Sequence, residues 1–204
     1  GGEGLQIIDV PNPLSPTLLG SYPTPDSAKR VHVVSSTAFI ADYESGLQIV
    51  DVTDALSPTL LGSYDTPYRA RDVQVLSTTA YVADAGWGWQ VSSLQILDVS
   101  DPANPSFLGA YEMPFIYPRA VHVVDTTAYV AAGDVLVLDV STPATPTLLA
   151  TDPAWDARTV AVSGDHAHVG KANGLRILNV SNPANPAPVG AYDWPARFAD
   201  MAVV

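Results

Sequence analysis

The chain is 204 residues long, carries a formal charge of −12 and contains no cysteine. The cysteine count excludes disulfide and thiolate chemistry, and the negative field opposes nucleic acid and anionic membranes. No apolar run nears the roughly 18 residues of a membrane span and no leader peptide is visible, so neither nucleic-acid binding nor membrane insertion is expected.

The chain opens on Gly1-Gly2-Glu3-Gly4, in what reads as the middle of a repeat, as if a leader or further sequence had been removed. The first element is Leu5-Gln6-Ile7-Ile8-Asp9-Val10. It returns as Leu47–Val52, Leu94–Val99, Val135–Val140 and Leu175–Val180, at steps of 42, 47, 41 and 40 residues counted from the acidic position. A period near 40 made of short alternating strands predicts a β-propeller. The first full copy reads as four strands: Ala28–Val34, Thr37–Asp42, Gly46–Val52 and Pro58–Tyr64. Its first strand recurs at Ala70–Leu76, Pro118–Val124, Ala157–Ser163 and Ala199–Val204. The second recurs at Thr79–Asp84, Thr127–Ala132 and His166–Lys171. Alternation and β-branched content support strands, and no stretch sustains a helical period.

The dipeptides Ser35-Ser36, Ser77-Thr78, Asp125-Thr126 and Gly164-Asp165 suit tight hairpins between first and second strands. Proline turns such as Ser100–Pro105 and Ser181–Pro186 join third to fourth strands; proline fixes φ, and Asn or Asp bonds its own turn. The expected fold is therefore all-β: one domain, 1–204, forming a five-bladed propeller of four-stranded blades. The repeats fall at about 28–69, 70–117, 118–156 and 157–195. The closing blade joins 1–27 to 196–204, which supply its third, fourth and first strands; no copy of the second remains. The ring closes on an incomplete blade, or the chain is a piece of a longer propeller, or a partner lends the strand. An unpaired strand edge there is an association hazard.

The third-strand motif, the Tyr81-Val82-Ala83-Asp84 strand before it and the Asp98-Val99-Ser100-Asp101-Pro102 turn after it resemble the LVIVD repeat. The likeness covers essentially the whole chain. It implies a β-propeller of the kind found in bacterial and archaeal cell-surface proteins, an extracellular or cell-surface location, and a binding or scaffolding role. It transfers no catalytic residue. The fourth copy departs most, with Val135 for Leu, and the fifth puts Asn179 in place of Asp.

The recurring Asp9, Asp51, Asp98, Asp139 and Asn179 each end a strand before a turn, where capping explains them better than a ring of metal ligands. His32 and His122 share a first-strand position with Gln74, Ala161 and Ala202, and read as packed or hydrogen-bonded near the axis. His166 and His168 read as surface variation on a second strand. No Ser-His-Asp set, phosphate loop or HExxH motif stands out. No metal or other cofactor is expected.

Loops alternate between two faces. The hairpin and proline-turn face is nearly identical in every copy, whereas the other face varies and holds all four tryptophans: Trp87, Trp89, Trp155 and Trp194. Tyr43, Tyr68, Phe115, Tyr117 and Phe198 join them. Seven of the nine cations, Lys29, Arg30, Arg69, Arg71, Arg119, Arg158 and Arg197, lie at or just before a first strand. Counting from the hairpins, Lys29 should face Asp42 and Arg71 should face Asp84 as ion pairs, while Arg119 faces Ala132 and Arg158 faces Lys171, leaving charge uncompensated. The expected binding residues are Trp87, Trp89, Trp155, Trp194, Arg30, Arg71, Arg119, Arg158 and Tyr117. The expected function is non-enzymatic recognition of a carbohydrate, a peptide or an anionic group at that face. The alternatives are a structural module of a larger surface protein, meeting further domains or copies of itself, and a hydrolase using paired carboxylates.

Overall fold

The computed structural model describes residues 3–193. In chain order the strands are β1 (Leu5–Asp9), β2 (Thr17–Tyr22), β3 (Arg30–Val34), β4 (Thr37–Ala41), β5 (Leu47–Asp51), β6 (Thr59–Tyr64), β7 (Ala70–Leu76) and β8 (Thr79–Asp84). They continue as β9 (Val91–Asp98), β10 (Ser106–Pro114), β11 (Ala120–Val124), β12 (Thr127–Asp139), β13 (Thr147–Ser163), β14 (His166–Lys171), β15 (Gly174–Asn179) and β16 (Ala187–Asp193). No helix occurs among the described residues.

Among the described residues the strands pair antiparallel with their chain neighbours: β1-β2, then β3 to β6, then β7 to β10, then a six-stranded sheet from β11 to β16, and an isolated bridge joins Tyr43 to Ala70. Two long runs explain the six-stranded sheet. The 13-residue β12 folds back at Gly133 (φ 86°), because the Val140 N–H donates to the Thr126 carbonyl at 2.8 Å. β13 pairs with β12 over Thr147–Asp152 and with β14 from Ala157 onward, so it leaves one unit and enters the next. The described residues thus form a half blade, β1-β2, followed by four four-stranded units, here blades 1 to 4. The stretch Ala199–Val204, read from the sequence as a closing strand, lies outside the described residues.

The repeat fixes each local detail. Val34 pairs with Thr37 and Leu76 with Thr79 around two-residue loops, whose first residues, Ser35, Ser77, Asp125 and Gly164, sit at φ 52° to 56°. Every fourth strand carries the same bulge, which inserts Leu19, Leu61, Leu108, Leu149 or Val189. At the third-strand ends, the carboxylates of Asp51, Asp98 and Asp139 accept the N–H two residues on, at 2.8 to 2.9 Å, and Asn179 does so at 3.0 Å. Hydrogen bonds from Thr53, Ser100 and Ser141 hold those three carboxyls below the usual range.

Blades stack face to face. Phe39, Leu47 and Ile49 of blade 1 meet Val73 and Val75 of blade 2; Tyr81, Leu94 and Ile96 meet Val121 and Val123; Tyr129, Val135 and Val137 meet Val160. Fully burying each such side chain contributes about 1.5–3 kcal/mol. Near the outer edge, the proline turns of blades 1, 2 and 3 each press on a glycine of the preceding fourth strand. A Cβ on Gly20 would lie 2.2 Å from the Ala55 carbonyl oxygen, on Gly62 2.5 Å from that of Pro102, and on Gly109 2.2 Å from that of Pro143. Only a residue without a side chain fits.

The first strands of successive blades are too far apart for a ladder and are tied by side chains instead. His32 Nδ1 accepts the Val75 N–H at 2.9 Å, Gln74 accepts the Val123 N–H at 2.6 Å and donates to its carbonyl at 3.1 Å, and His122 bonds the backbone of Val162. Asp72 accepts the N–H of Val73 and, across the interface, that of Val121, both at 2.9 Å. The two histidines are therefore structural ties, and burial lowers the pKa of both.

Candidate functional site

Antiparallel order places the connections from second to third strand at the same end as those between blades. At that end a row of rings and cations runs from blade 1 to blade 3. Lys29 Nζ lies 4.5 Å above the Tyr43 ring. The Arg69 guanidinium lies 5.0 Å from the same ring and 5.4 Å from that of Trp87. Trp87 meets Tyr117 edge to face at 6.5 Å, and Tyr117 carries Arg71 at 4.9 Å and Arg119 at 5.6 Å. Arg71 Nη1 also donates to the Tyr117 hydroxyl at 2.7 Å. Beyond them Trp89, 91% exposed, sits edge to face with Phe115 at 6.2 Å. Cation–π contacts at exposed sites are worth about 0.5–1 kcal/mol each, so the row is pre-set without being rigidly locked.

The structure gathers five of the nine expected residues here: Trp87, Trp89, Tyr117, Arg71 and Arg119. The other four lie apart or beyond description. Trp155 is exposed between blades 3 and 4, its N–H 3.4 Å from an Asp134 oxygen. Arg30 approaches Asp72 at 3.8 Å on the inner strands. Arg158 pairs with Asp156 at 3.0 Å. Trp194 lies outside the described residues, as do Arg197 and Phe198.

Two expected pairings are corrected by bulges. Asp84 stands opposite Ala70, and Arg71 is the extra residue before Asp72, so it swings away from Asp84 to Tyr117. Arg158 is likewise extra between Ala157 and Thr159; Lys171 faces Ala157, and the charge expected to be uncompensated is met by Asp156. A third pairing fails for another reason. Asp42 accepts the Asp26 N–H at 2.8 Å, and Lys29 donates to Ser27 and covers Tyr43. On the blade 1 side Arg69 is balanced by Glu44 at 2.9 Å. Arg71 and Arg119 have no ion pair among the described residues.

Asp84 has a separate role. It is fully buried, and both its oxygens lie 3.1 to 3.2 Å from the Tyr68 N–H, pinning the blade 1 to blade 2 connection. Burial pushes its carboxyl up to about 6, against the opposing pull of Thr66 and Tyr68. The folded value exceeds the unfolded one of about 3.9, so this group's contribution is full at low pH and is lost as pH rises through about 6. Asp84→Asn keeps an acceptor and removes the charge. Between pH 4 and pH 7 the native protein is expected to lose about 2–3 kcal/mol relative to Asp84→Asn, measured by urea unfolding. Parallel stability profiles would contradict the assignment.

The LVIVD-repeat model matches residues 1–24, 25–66, 69–113, 119–151 and 154–194. The chain belongs to the LVIVD-repeat family. No curated protein matches it. Solved structures resembling this LVIVD-repeat chain include a functionally unknown protein from Desulfotomaculum acetoxidans, 14% identical with a TM-score of 0.74 over 92% of this chain and 62% of that one. The periplasmic gluconolactonase of Pseudomonas aeruginosa gives 13% identity and a TM-score of 0.75 over 94% and 64%. A nidogen/laminin complex gives 13% and 0.66 over 91% and 71%. These likenesses show the fold, that of a β-propeller, and nothing finer. The chain spans less than two thirds of the length of the first two. As a repeat propeller, the LVIVD-repeat protein is built as an interaction or structural module.

Sequence reasoning left Arg69, Tyr43 and Phe115 out of the site although they form its middle and edge. The available signal was positional: Arg69 directly precedes a first strand, and Tyr43 follows a second strand, as the Trp87 loop does. Tyr43 (φ 50°), Phe115 (φ 61°) and Trp155 (φ 54°) are aromatic residues in the left-handed region, all at this end. Such backbone costs roughly 1–2 kcal/mol per residue and collects at binding surfaces.

Proposed function

We propose that the variable end binds an anionic carbohydrate at the cell exterior, without catalysis. The observation that carries this is Tyr117 flanked by Arg71 and Arg119, two guanidinium groups on one ring with no carboxylate partner among the described residues, beside the edge of Trp87. A sugar ring stacks on an aromatic face, and a guanidinium fork takes a carboxylate. The exterior location follows the family resemblance. A five-bladed ring closed by the chain ends remains part of this proposal. The hydrolase alternative draws no support from Asp84, the one carboxyl with a strongly raised pKa among the described residues, because it is sealed from solvent and engaged with backbone.

The test is titration of tryptophan emission with an oligogalacturonate and with a neutral glucan of equal length. Arg71→Ala and Arg119→Ala are each expected to weaken oligogalacturonate binding at least tenfold, and Arg158→Ala to leave it unchanged; the glucan binds weakly or not at all. Equal binding of both sugars, or insensitivity to both arginines, ends the proposal. The exposed Trp89–Phe115 pair favours a second reading, a contact with another protein domain. In that case Trp89→Ser abolishes a protein contact and spares sugar binding.

A further inference from the structure

The junctions between blades follow one plan, so a junction that departs from it stands out. Where blade 3 meets blade 4, Asp152 closes a fourth strand and Arg176 lies on the next third strand. Arg176 crosses to it: Nη2 donates to one carboxylate oxygen at 2.9 Å, and Nε lies 2.9 Å from the other. At the junction of blades 1 and 2 the same two places are held by Tyr64 and Gln95. Tyr64 stands opposite Leu47 as Asp152 does opposite Val135, and Gln95 opposite Ala110 as Arg176 does opposite Ala191. Here a cleft of about 400 Å³ lies open, lined by both residues.

Three rings border this cleft, Tyr64, Tyr68 and Phe107, and so does the exposed carboxylate of Glu112. Ser93 and Gln95 are its buried polar lining, the Gln95 amide donating to the Ser93 hydroxyl at 2.6 Å. Two of the rings are not part of the repeat. Phe107 stands where the other fourth strands carry Leu18, Leu60, Leu148 or Pro188. Tyr68 is held by Asp84 through its N–H, in the place where Asp42 holds Asp26. Glu112 pairs with no cation among the described residues. Rings beside a lone carboxylate, in a chain of charge −12, suit a planar cation that stacks on an aromatic face and forks onto the acid. The chain carries a filled version of this arrangement: Arg69 lies 5.0 Å from the Tyr43 ring and donates to Glu44 at 2.9 Å.

We propose that the cleft between blades 1 and 2 receives an arginine side chain of a partner polypeptide. Its guanidinium lies between the rings and Glu112, in the gap that Arg176 fills from within at the junction of blades 3 and 4. The cleft shares no residue with the row of rings and cations at the variable end, so its occupant is distinct from the carbohydrate.

The test is a nuclear magnetic resonance titration of the full chain, in about 0.15 M NaCl, with the end-blocked peptide Gly-Gly-Arg-Gly-Gly and its citrulline counterpart. The arginine peptide is expected to give saturable shifts at Ser93, Gln95 and Glu112. Citrulline keeps the shape and loses the charge, and is expected to bind about tenfold more weakly. Glu112→Gln costs about tenfold in affinity for the arginine peptide, and Phe107→Leu, which installs the residue of three other copies, about threefold. Asp125→Asn removes the same charge from an exposed hairpin at the other end, where Asn tolerates the φ of 52°, and leaves the affinity unchanged. Free arginine brings its own carboxylate to an acidic surface and is expected to bind more weakly than the peptide. The proposal is overturned if the arginine peptide gives no saturable shifts up to about 10 mM. It is equally overturned if citrulline or free arginine binds as tightly, or if Glu112→Gln does no more than Asp125→Asn.

Discussion

Gly109→Ala is expected to cost about 2–3 kcal/mol, lowering Tm by roughly 5–10 °C, while Gly190→Ala changes stability by no more than a few tenths. The two glycines occupy the same place in two copies of one motif, blades 2 and 4. They differ only in what lies beyond them. A methyl on Gly109 would stand 2.2 Å from the Pro143 carbonyl oxygen and 2.8 Å from Ala144 Cα, and backbone cannot step aside as a flexible side chain can. Among the described residues, a methyl on Gly190 meets nothing closer than 3.8 Å. Blade 3 carries Ala150 at this place, half-buried against the blade 3 and 4 cluster. Thermal unfolding of the pair at low micromolar concentration is the measurement. Equal losses would mean that glycine matters for backbone freedom and not for the approach of the neighbouring turn.

The second large effect is expected at Gln74. Its amide satisfies both backbone groups of Val123 in the next blade. Gln74→Leu keeps the volume and strands a buried N–H and a carbonyl, for a loss of about 2–3 kcal/mol. Gln74→His is expected to restore part of it, because His32 already takes the Val75 N–H from the corresponding place. Amide exchange at Val123 should quicken in the leucine variant and slow again in the histidine one. The loss reaches the candidate site as well. Arg71 and Tyr117 belong to the two blades that Gln74 ties, so oligogalacturonate affinity should fall alongside stability. Unchanged exchange at Val123 would show the tie to be incidental.

Most of the architecture was legible in the residues because the repeat states each rule several times. Asp51, Asp98, Asp139 and Asn179 announced a turn cap by keeping an acceptor while changing charge, and the caps are there. The hairpin dipeptides announced their loops. What escaped was anything decided by one residue of register. Ala70-Arg71-Asp72 and Ala28-Lys29-Arg30 have the same length, yet only the former is bulged, and that alone moves Arg71 from Asp84 to Tyr117. His32 and His122 read correctly as packed or hydrogen-bonded, but their partners were hidden for a different reason. Their equivalence to Gln74 was visible, but a side chain bonding the backbone of the next unit leaves no periodic trace in the sequence. A polar residue at one inner-strand position in three consecutive copies was the available clue.

The ties between first strands, from His32 to Val75, Gln74 to Val123 and Asp72 to Val121, reach 43 to 49 residues ahead, each to the adjoining unit. An in-frame duplication or deletion of one such unit leaves every surviving tie with a partner of the same kind. Genes of this type can therefore change their number of units in single recombination events while each junction keeps its chemistry. Within such a gene the inner strands are held by their neighbours' backbone, while the variable loops are free to diverge copy by copy.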